Sequence, residues 1–292
     1  MPPTPRLVAD HPCVLGEGPI WHEDDAALYW LDIMRGLVLR HDPATGRHEV
    51  VRDGPVVGAM TIQTDGSLLL LGGGGKVSRW HRGEETTLLE GIDGETRFND
   101  AIADDRGRVY SGTMPRDGWK DDPSLAGRLY RLDPDGSVHV MDKGFGCPNG
   151  MGFLDEGKTL LFVDTPNRRV LAYDVDRVTG DLSNRRVHLD TSEQKGAPDG
   201  MTLDAEGCLW SARWGGGCVH RFGPGGEHLL SIELPADNVT CPAFGGPGLS
   251  TLYLSTAGGD DAADHPPAGA LFAVDLDGVR GEPENRSRFQ LD

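Results

Sequence analysis

An all-β chain folded as a six-bladed β-propeller of four-stranded antiparallel blades is predicted by three features: a short motif that recurs six times, tight-turn dipeptides after most copies, and the lack of any sustained helical period. The copies are Glu17-Gly18-Pro19-Ile20, Val57-Gly58-Ala59-Met60, Asn99-Asp100-Ala101-Ile102, Asn149-Gly150-Met151-Gly152, Asp199-Gly200-Met201-Thr202 and Cys241-Pro242-Ala243-Phe244. Their first residues lie 40, 42, 50, 50 and 42 positions apart, the period of a propeller blade.

Each copy opens a first strand. A second apolar run follows: Leu28 to Leu31, Leu68 to Leu70, Val109-Tyr110, Leu160 to Val163, Leu209-Trp210 and Leu252 to Leu254. Between them stand Asp65-Gly66, Arg106-Gly107, Glu156-Gly157 and Glu206-Gly207, the chemistry of tight antiparallel turns. Third runs are Gly36 to Leu39, Lys76 to Arg79, Arg128 to Tyr130, Val170 to Tyr173, Val219 to Phe222 and Ala270 to Ala273, and turns such as Asp133-Pro134-Asp135-Gly136 lead to a fourth. Residues 1–292 then form one domain, with a β-sandwich or barrel as the alternative that regular strand spacing also suits.

Composition narrows the function. The 292 residues include 42 Gly and 20 Pro with 37% hydrophobic residues, enough apolar content to fold and enough turn formers for many short strands. A formal net charge of −18 with no Lys/Arg cluster argues against a nucleic-acid partner. The cysteines (Cys13, Cys147, Cys208, Cys218 and Cys241) are odd in number and form no C-x-x-C pair, which fits a reducing cytoplasm better than a disulfide framework or thiolate zinc site. The first eight residues lack an apolar signal core and no stretch is apolar over the roughly 18 residues that span a bilayer, so no membrane association is expected.

In a propeller the first strands line the central channel, so equivalent residues form a ring: Glu17, Val57, Asn99, Asn149, Asp199 and Cys241. Four of the six offer an oxygen. Burying Glu17 beside Asp199 without a counter-charge costs several kcal/mol, and a divalent cation removes that cost. An all-oxygen set suits calcium or magnesium, with zinc, manganese and ferrous iron left open, and four protein ligands leave positions for water or substrate. Asn-Gly and Asp-Gly are also turn dipeptides, and it is the register shared with Glu17 and Asn99 that favours ligands. Extra length between second and third strands, at Met114 to Ala126 and Ala257 to Gly269, is expected on the face where first strands begin. Met114 and Trp214 are expected to end second strands on that face. Gly72 to Lys76 reads as a turn between strands, not a phosphate loop, and His22, His41 and His220 are expected on blade surfaces.

The segments Gly16-Glu17-Gly18-Pro19, Arg97-Phe98-Asn99-Asp100, Pro148-Asn149-Gly150, Asp164-Thr165, Pro198-Asp199-Gly200-Met201, Trp214-Gly215-Gly216-Gly217 and Phe244-Gly245-Gly246-Pro247 together resemble the senescence marker protein, gluconolactonase and regucalcin family of metal-dependent sugar lactonases, over nearly the whole chain. The resemblance implies the same metal ligands, Glu17, Asn99, Asn149 and Asp199. It also implies substrate contacts from Arg97, Asn99 and an acidic residue after Gly112-Thr113-Met114, here Asp117. The expected activity is hydrolysis of a small-molecule sugar lactone, a pentono- or hexonolactone, with Asp199 as ligand and general base and Arg97 holding substrate. A metal-bound hydroxide formed without Asp199 is the competing mechanism. A calcium-binding regulator without turnover and a phosphotriesterase-like hydrolase are the competing functions, and the oligomeric state stays open, a monomer included.

Overall fold

The computed structural model describes residues 3–291 apart from 95, 117, 119–126, 261 and 266. Its strands follow the recurrence. After β1 (Arg6–Ala9) come β2 (Gly16–His22), β3 (Ala27–Asp32), β4 (Leu37–Asp42) and β5 (Arg47–Asp53), then β6 (Val57–Ile62), β7 (Leu68–Gly72), β8 (Val77–His81) and β9 (Glu84–Leu89). The third and fourth meanders are β10 (Thr96–Ala103), β11 (Val109–Pro115), β12 (Gly127–Leu132) and β13 (Val138–Phe145), and β14 (Pro148–Leu154), β15 (Thr159–Asp164), β16 (Arg169–Val175) and β17 (Leu182–Asp190). The fifth is β18 (Ala197–Leu203), β19 (Leu209–Trp214), β20 (Cys218–Phe222) and β21 (His228–Glu233), and β22 (Asn238–Gly245), β23 (Thr251–Ala257) and β24 (Leu271–Asp275) begin the sixth. Six four-stranded antiparallel sheets make the fold class the six-bladed β-propeller that the sequence predicts.

The sixth sheet has the order β22-β23-β24-β1, so the start of the chain supplies its last strand, with Arg6 opposite Ala273 and Leu7 opposite Phe272. The repeat contains no signal for that strand, because β1 lies outside the six copies. The chain divides into two compact units, Met1–Gly54 with Thr191–Pro283 and Pro55–Asp190 with Glu284–Asp292. The first holds the first, fifth and sixth sheets, the second the other three.

Burial explains the strand sequences. Second strands such as β3, β7 and β15 are buried along their whole length and are continuous apolar runs, as strands covered on both faces must be. Fourth strands such as β5, β9 and β17 are mostly exposed and charged, which protects a free sheet edge from pairing with other chains. In the first unit Trp210, Phe244 and Phe272 form one core cluster and Trp21, Trp30 and Tyr253 another.

The second unit is completed by the C-terminal segment, which the repeat leaves unassigned. Ser287 pairs with Gln63, Arg288 N–H bonds the Gly107 carbonyl at 3.0 Å, and Gln290 N–H bonds the Pro134 carbonyl at 2.9 Å. Phe289, fully buried, packs with Phe98, Tyr130 and Leu132. Phe289→Ala is expected to destabilise the protein by about 3–5 kcal/mol, the usual cost of emptying a buried aromatic site; a denaturant midpoint equal to wild type would refute the strap.

The histidines depart from expectation. His22, His41 and His220 are buried, not on blade surfaces, because the strands that carry them bury polar and apolar side chains alike. His41 lies 6.3 Å from the Tyr253 ring and His220 5.9 Å from Phe222. Desolvation, with Arg213 and His228 adding to it, lowers the His220 imidazole from 6.5 to about 4. Between those values the unfolded chain binds the extra proton, so this contribution to stability is complete above about pH 6.5 and declines as pH falls toward 4. The stability gap between wild type and His220→Gln should therefore shift against wild type on acidification, and parallel pH-stability curves for the two proteins would show the assignment wrong.

Candidate metal centre

The site residues stand where the antiparallel ladders are interrupted. In β6 Val57 pairs with Gly72 and Ala59 with Leu71, leaving Gly58 unpaired; in β10 Asn99 pairs with Gly112 and Ala101 with Ser111, leaving Asp100 unpaired at φ 59°. In β22 Val239 and Cys241 flank Thr240 in the same way. In β2, β14 and β18 the paired residues flank Gly18-Pro19, Asn149-Gly150 and Asp199-Gly200. Each of these first strands carries one residue more than its partner, which is a β-bulge, the usual device for re-aiming a side chain beside a site.

The bulges correct one ring position. Val239, not Cys241, occupies the place of Val57 and Asn99, two residues before pairing resumes. The sequence copies align on their apolar followers, whereas the ladder counts from the bulge. Cys241 instead packs on Gly200, where a Cβ would lie 2.4 Å from its Sγ. Glu17 stands three residues before pairing resumes, one earlier than the others, because its bulge contains Gly18 at φ 51° and Pro19.

Glu17 and Asp199, both in the first unit, and Asn99 and Asn149, both in the second, are all buried. Glu17 Oε2 accepts the Gly18 N–H at 3.0 Å. The second unit brings its two amides together in one hydrogen-bonded chain whose direction is fixed by groups that can act only one way. The Pro148 carbonyl only accepts, so Asn99 turns Nδ2 to it at 2.6 Å. Asn99 Oδ1 consequently faces Arg97, whose Nη1 donates to it at 2.5 Å and to the Phe98 carbonyl at 3.1 Å. Nδ2 of Asn99 also donates to Asn149 Oδ1 at 3.0 Å, which leaves Asn149 Nδ2 to donate to Thr165 Oγ1 at 2.9 Å and Cys147 Sγ at 3.5 Å.

The family of the chain is decided by comparison with known proteins. Residues 15–258 match the SMP-30/Gluconolactonase/LRE-like region. The chain belongs to the SMP-30/gluconolactonase/LRE-like family. A pentonolactonase named XacC from Haloferax volcanii is 44% identical over 99% of each chain. A 6-deoxy-6-sulfogluconolactonase from Pseudomonas putida is 32% identical, covering 93% of this chain and 94% of the relative. The crystal structure of a calcium-binding protein, regucalcin, from Agrobacterium tumefaciens aligns with a TM-score of 0.88 at 29% identity over 98% of each chain.

This SMP-30/gluconolactonase/LRE-like chain contains site neighbours that side-chain chemistry alone does not single out. Thr165 and Cys147 hold the Asn149 end of the amide chain, and the Pro148 carbonyl holds Asn99. Thr165 lies sixteen residues after Asn149, near the offset that marks Met114 and Trp214, so the repeat register contains its signal. Met114 is buried with its Sδ 3.8 Å from Cys147 Sγ, and Trp214 is 41% exposed. Asp164, at the end of β15 opposite Pro148, is buried, and desolvation raises its carboxyl above the usual range. Asp117 lies outside the described residues. The insertion after β23 meets the segment leading into β2, where Gly258 N–H bonds the Cys13 carbonyl at 3.1 Å and Gly259 N–H bonds the Val14 carbonyl at 3.0 Å, so it lies on the expected face. Gly72 to Lys76 joins β7 to β8 as a turn.

Thr165→Val removes the oxygen acceptor of Asn149 Nδ2 and leaves it only the weak Cys147 Sγ acceptor, which should cost about 1 kcal/mol, whereas Thr165→Ser should stay near wild type. Indistinguishable unfolding midpoints for the two variants would exclude the anchoring role.

Proposed function

We propose that this chain hydrolyses a sugar lactone of the pentonolactone or hexonolactone class, using one divalent cation shared by Glu17, Asn99, Asn149 and Asp199, so that residues 1–292 act as a single domain. The observation that carries the reading is the 44% identity over 99% of the chain to a pentonolactonase. The second lactonase relative and the neighbour described as a calcium-binding protein support its two halves, the reaction and the ion.

The residues fit the ion. All four donors are oxygens, all are buried, and each stands at a bulge in a first strand, a set suited to a hard cation such as calcium, with magnesium, manganese, zinc and ferrous iron as the other ions to be tested. When bound, the ion supplies Lewis-acid polarisation of the ring-ester carbonyl and charge stabilisation of the oxyanion. Asp199 takes the proton of the attacking water on a carboxylate oxygen. Arg97 directs one Nη to Asn99 and the Phe98 carbonyl, and its planar fork is the donor proposed for the lactone oxygens, with Asn99 and Asp117 completing the substrate contacts. Five cysteines outside any disulfide agree with a reducing compartment, which we take to be the cytoplasm.

A calcium-binding role without turnover is the second reading, favoured by the regucalcin neighbour. Rates on a panel of pentono- and hexonolactones, measured after chelation and again after adding back each metal, separate the two: turnover should vanish with the ion and return with it. Asp199→Asn is expected to lower kcat by roughly 10²–10⁴, the usual loss with a general base. Near-wild-type turnover in that variant would remove Asp199 from the chemistry, and ion binding with no lactone hydrolysis would leave the regulator reading standing.

A further inference from the structure

A second cluster of ligand-type side chains lies outside the proposed lactone site. His11, Cys13 and Asp32 each offer one donor, and these donors lie within 4.8 Å of one another. His11 and Cys13 sit two residues apart in the connection from β1 to β2, where Cys13 N–H bonds the His11 carbonyl at 2.9 Å. Asp32 ends β3 and is fully buried, as is Cys13.

The surroundings of these three groups are those of ligands already held in place. Asp32 Oδ2 accepts Val14 N–H at 3.0 Å and Arg35 Nη1 at 3.4 Å, and Oδ1 accepts only Leu15 N–H at 3.2 Å among the described residues, which leaves it a lone pair. Cys13 is fully buried and packs with Trp30 and Ala9 in one core cluster. His11 Nε2 is buried and has no hydrogen-bond partner among the described residues. A buried ring nitrogen left unsatisfied costs free energy, and outer hydrogen bonds to a carboxylate are what orient a metal's ligands.

We propose that His11, Cys13 and Asp32 form a binding site for a borderline transition-metal ion of the zinc class, separate in residues and in donor type from the all-oxygen set. One nitrogen, one sulfur and one oxygen are the donor mixture such ions select, and three protein ligands leave a fourth position for water. On binding, the Cys13 S–H bond breaks, a sulfur–metal bond forms and the proton leaves to solvent. A cysteine thiol is mostly protonated at neutral pH, so about one proton should be released for each ion bound.

The ion would act as a clamp. His11 and Cys13 follow the strand that completes the sixth sheet, Asp32 belongs to the first sheet, and Cys13 is also bonded to the β23–β24 connection through Gly269 and Gly258.

Cobalt(II) is the probe, because a thiolate on that ion gives a near-ultraviolet charge-transfer band that oxygen ligands do not. Titrating the full chain with cobalt should produce the band with one equivalent, together with proton release and a rise in Tm. The band should persist in a Glu17→Gln/Asp199→Asn double variant, which disables only the all-oxygen set. It should be lost in Cys13→Ser, and cobalt affinity should fall at least about tenfold in His11→Ala, whose partly exposed side chain can be removed without emptying the core. No band in the wild-type protein, a band unchanged in Cys13→Ser, or a cobalt affinity unchanged in His11→Ala overturns the site. Because the double variant loses only the oxygen set, failure there leaves the lactonase reading untouched, and failure of that reading leaves this one standing.

Discussion

One irregularity in an otherwise regular ladder governs how this chain presents its chemistry. A regular antiparallel strand sends successive side chains to opposite faces, and an extra unpaired residue breaks that alternation and bends the strand. All six first strands have such a bulge next to the motif residue. The close packing of neighbouring strands depends on glycines in and opposite two of these bulges. A Cβ on Gly58 would lie 1.8 Å from the Phe98 carbonyl oxygen, and one on Gly112 would lie 2.1 Å from Pro148 Cβ. Glycine at these positions is therefore needed for strand approach, a role distinct from the turn chemistry that Asn-Gly and Asp-Gly dipeptides suggest.

The amide chain shows how a fold with few long side chains can control polar geometry. Arg97 and the Pro148 carbonyl are single-valued, one always a donor and the other always an acceptor, and between them they fix both ambiguous amides. Asn99 and Asn149 are thereby held in a single orientation, with Thr165 accepting at the far end. Preorganisation of this kind is what a charge-stabilising site requires, since donors that must reorient during reaction lose much of their effect. In this chain Arg97 positions Asn99 directly, whatever else it contacts.

The rest of the polar interior follows a similar rule. Asp104 accepts Arg106 and Arg108 N–H groups and pairs with the Arg108 guanidinium at 2.5 Å, and Asp204 accepts Glu206, Cys208 and Trp210 N–H groups with Arg221 beside it. These buried carboxylates close the turns after β10 and β18 at matching positions. Buried ions of this type are tolerated because nearly every lone pair is used. The Asp204 cluster shares residue types with a metal site, but its oxygens are committed to backbone, indole and arginine. The Asp32 cluster differs from it in its unsatisfied imidazole.

The number of blades, the three inner strands of each and the four oxygen-bearing residues at the motif starts were legible in the amino-acid order alone, because they depend on period and turn chemistry, which are local. The location of the insertion after β23 was legible too, through strand direction. Long-range packing settled what depends on partners distant in the chain: that Arg6–Ala9 completes the last sheet, that Phe289 fills the core under β10 and β12, and that Val239 replaces Cys241 in register. It likewise settled that His22, His41 and His220 are buried, because a histidine in an alternating strand looks the same whether its face meets water or another sheet. The orientation of Asn149 was beyond any reading of residues 148–152, since the groups that set it, Arg97 with Asn99 and Thr165, are brought to it only when β10, β14 and β15 come together in the fold.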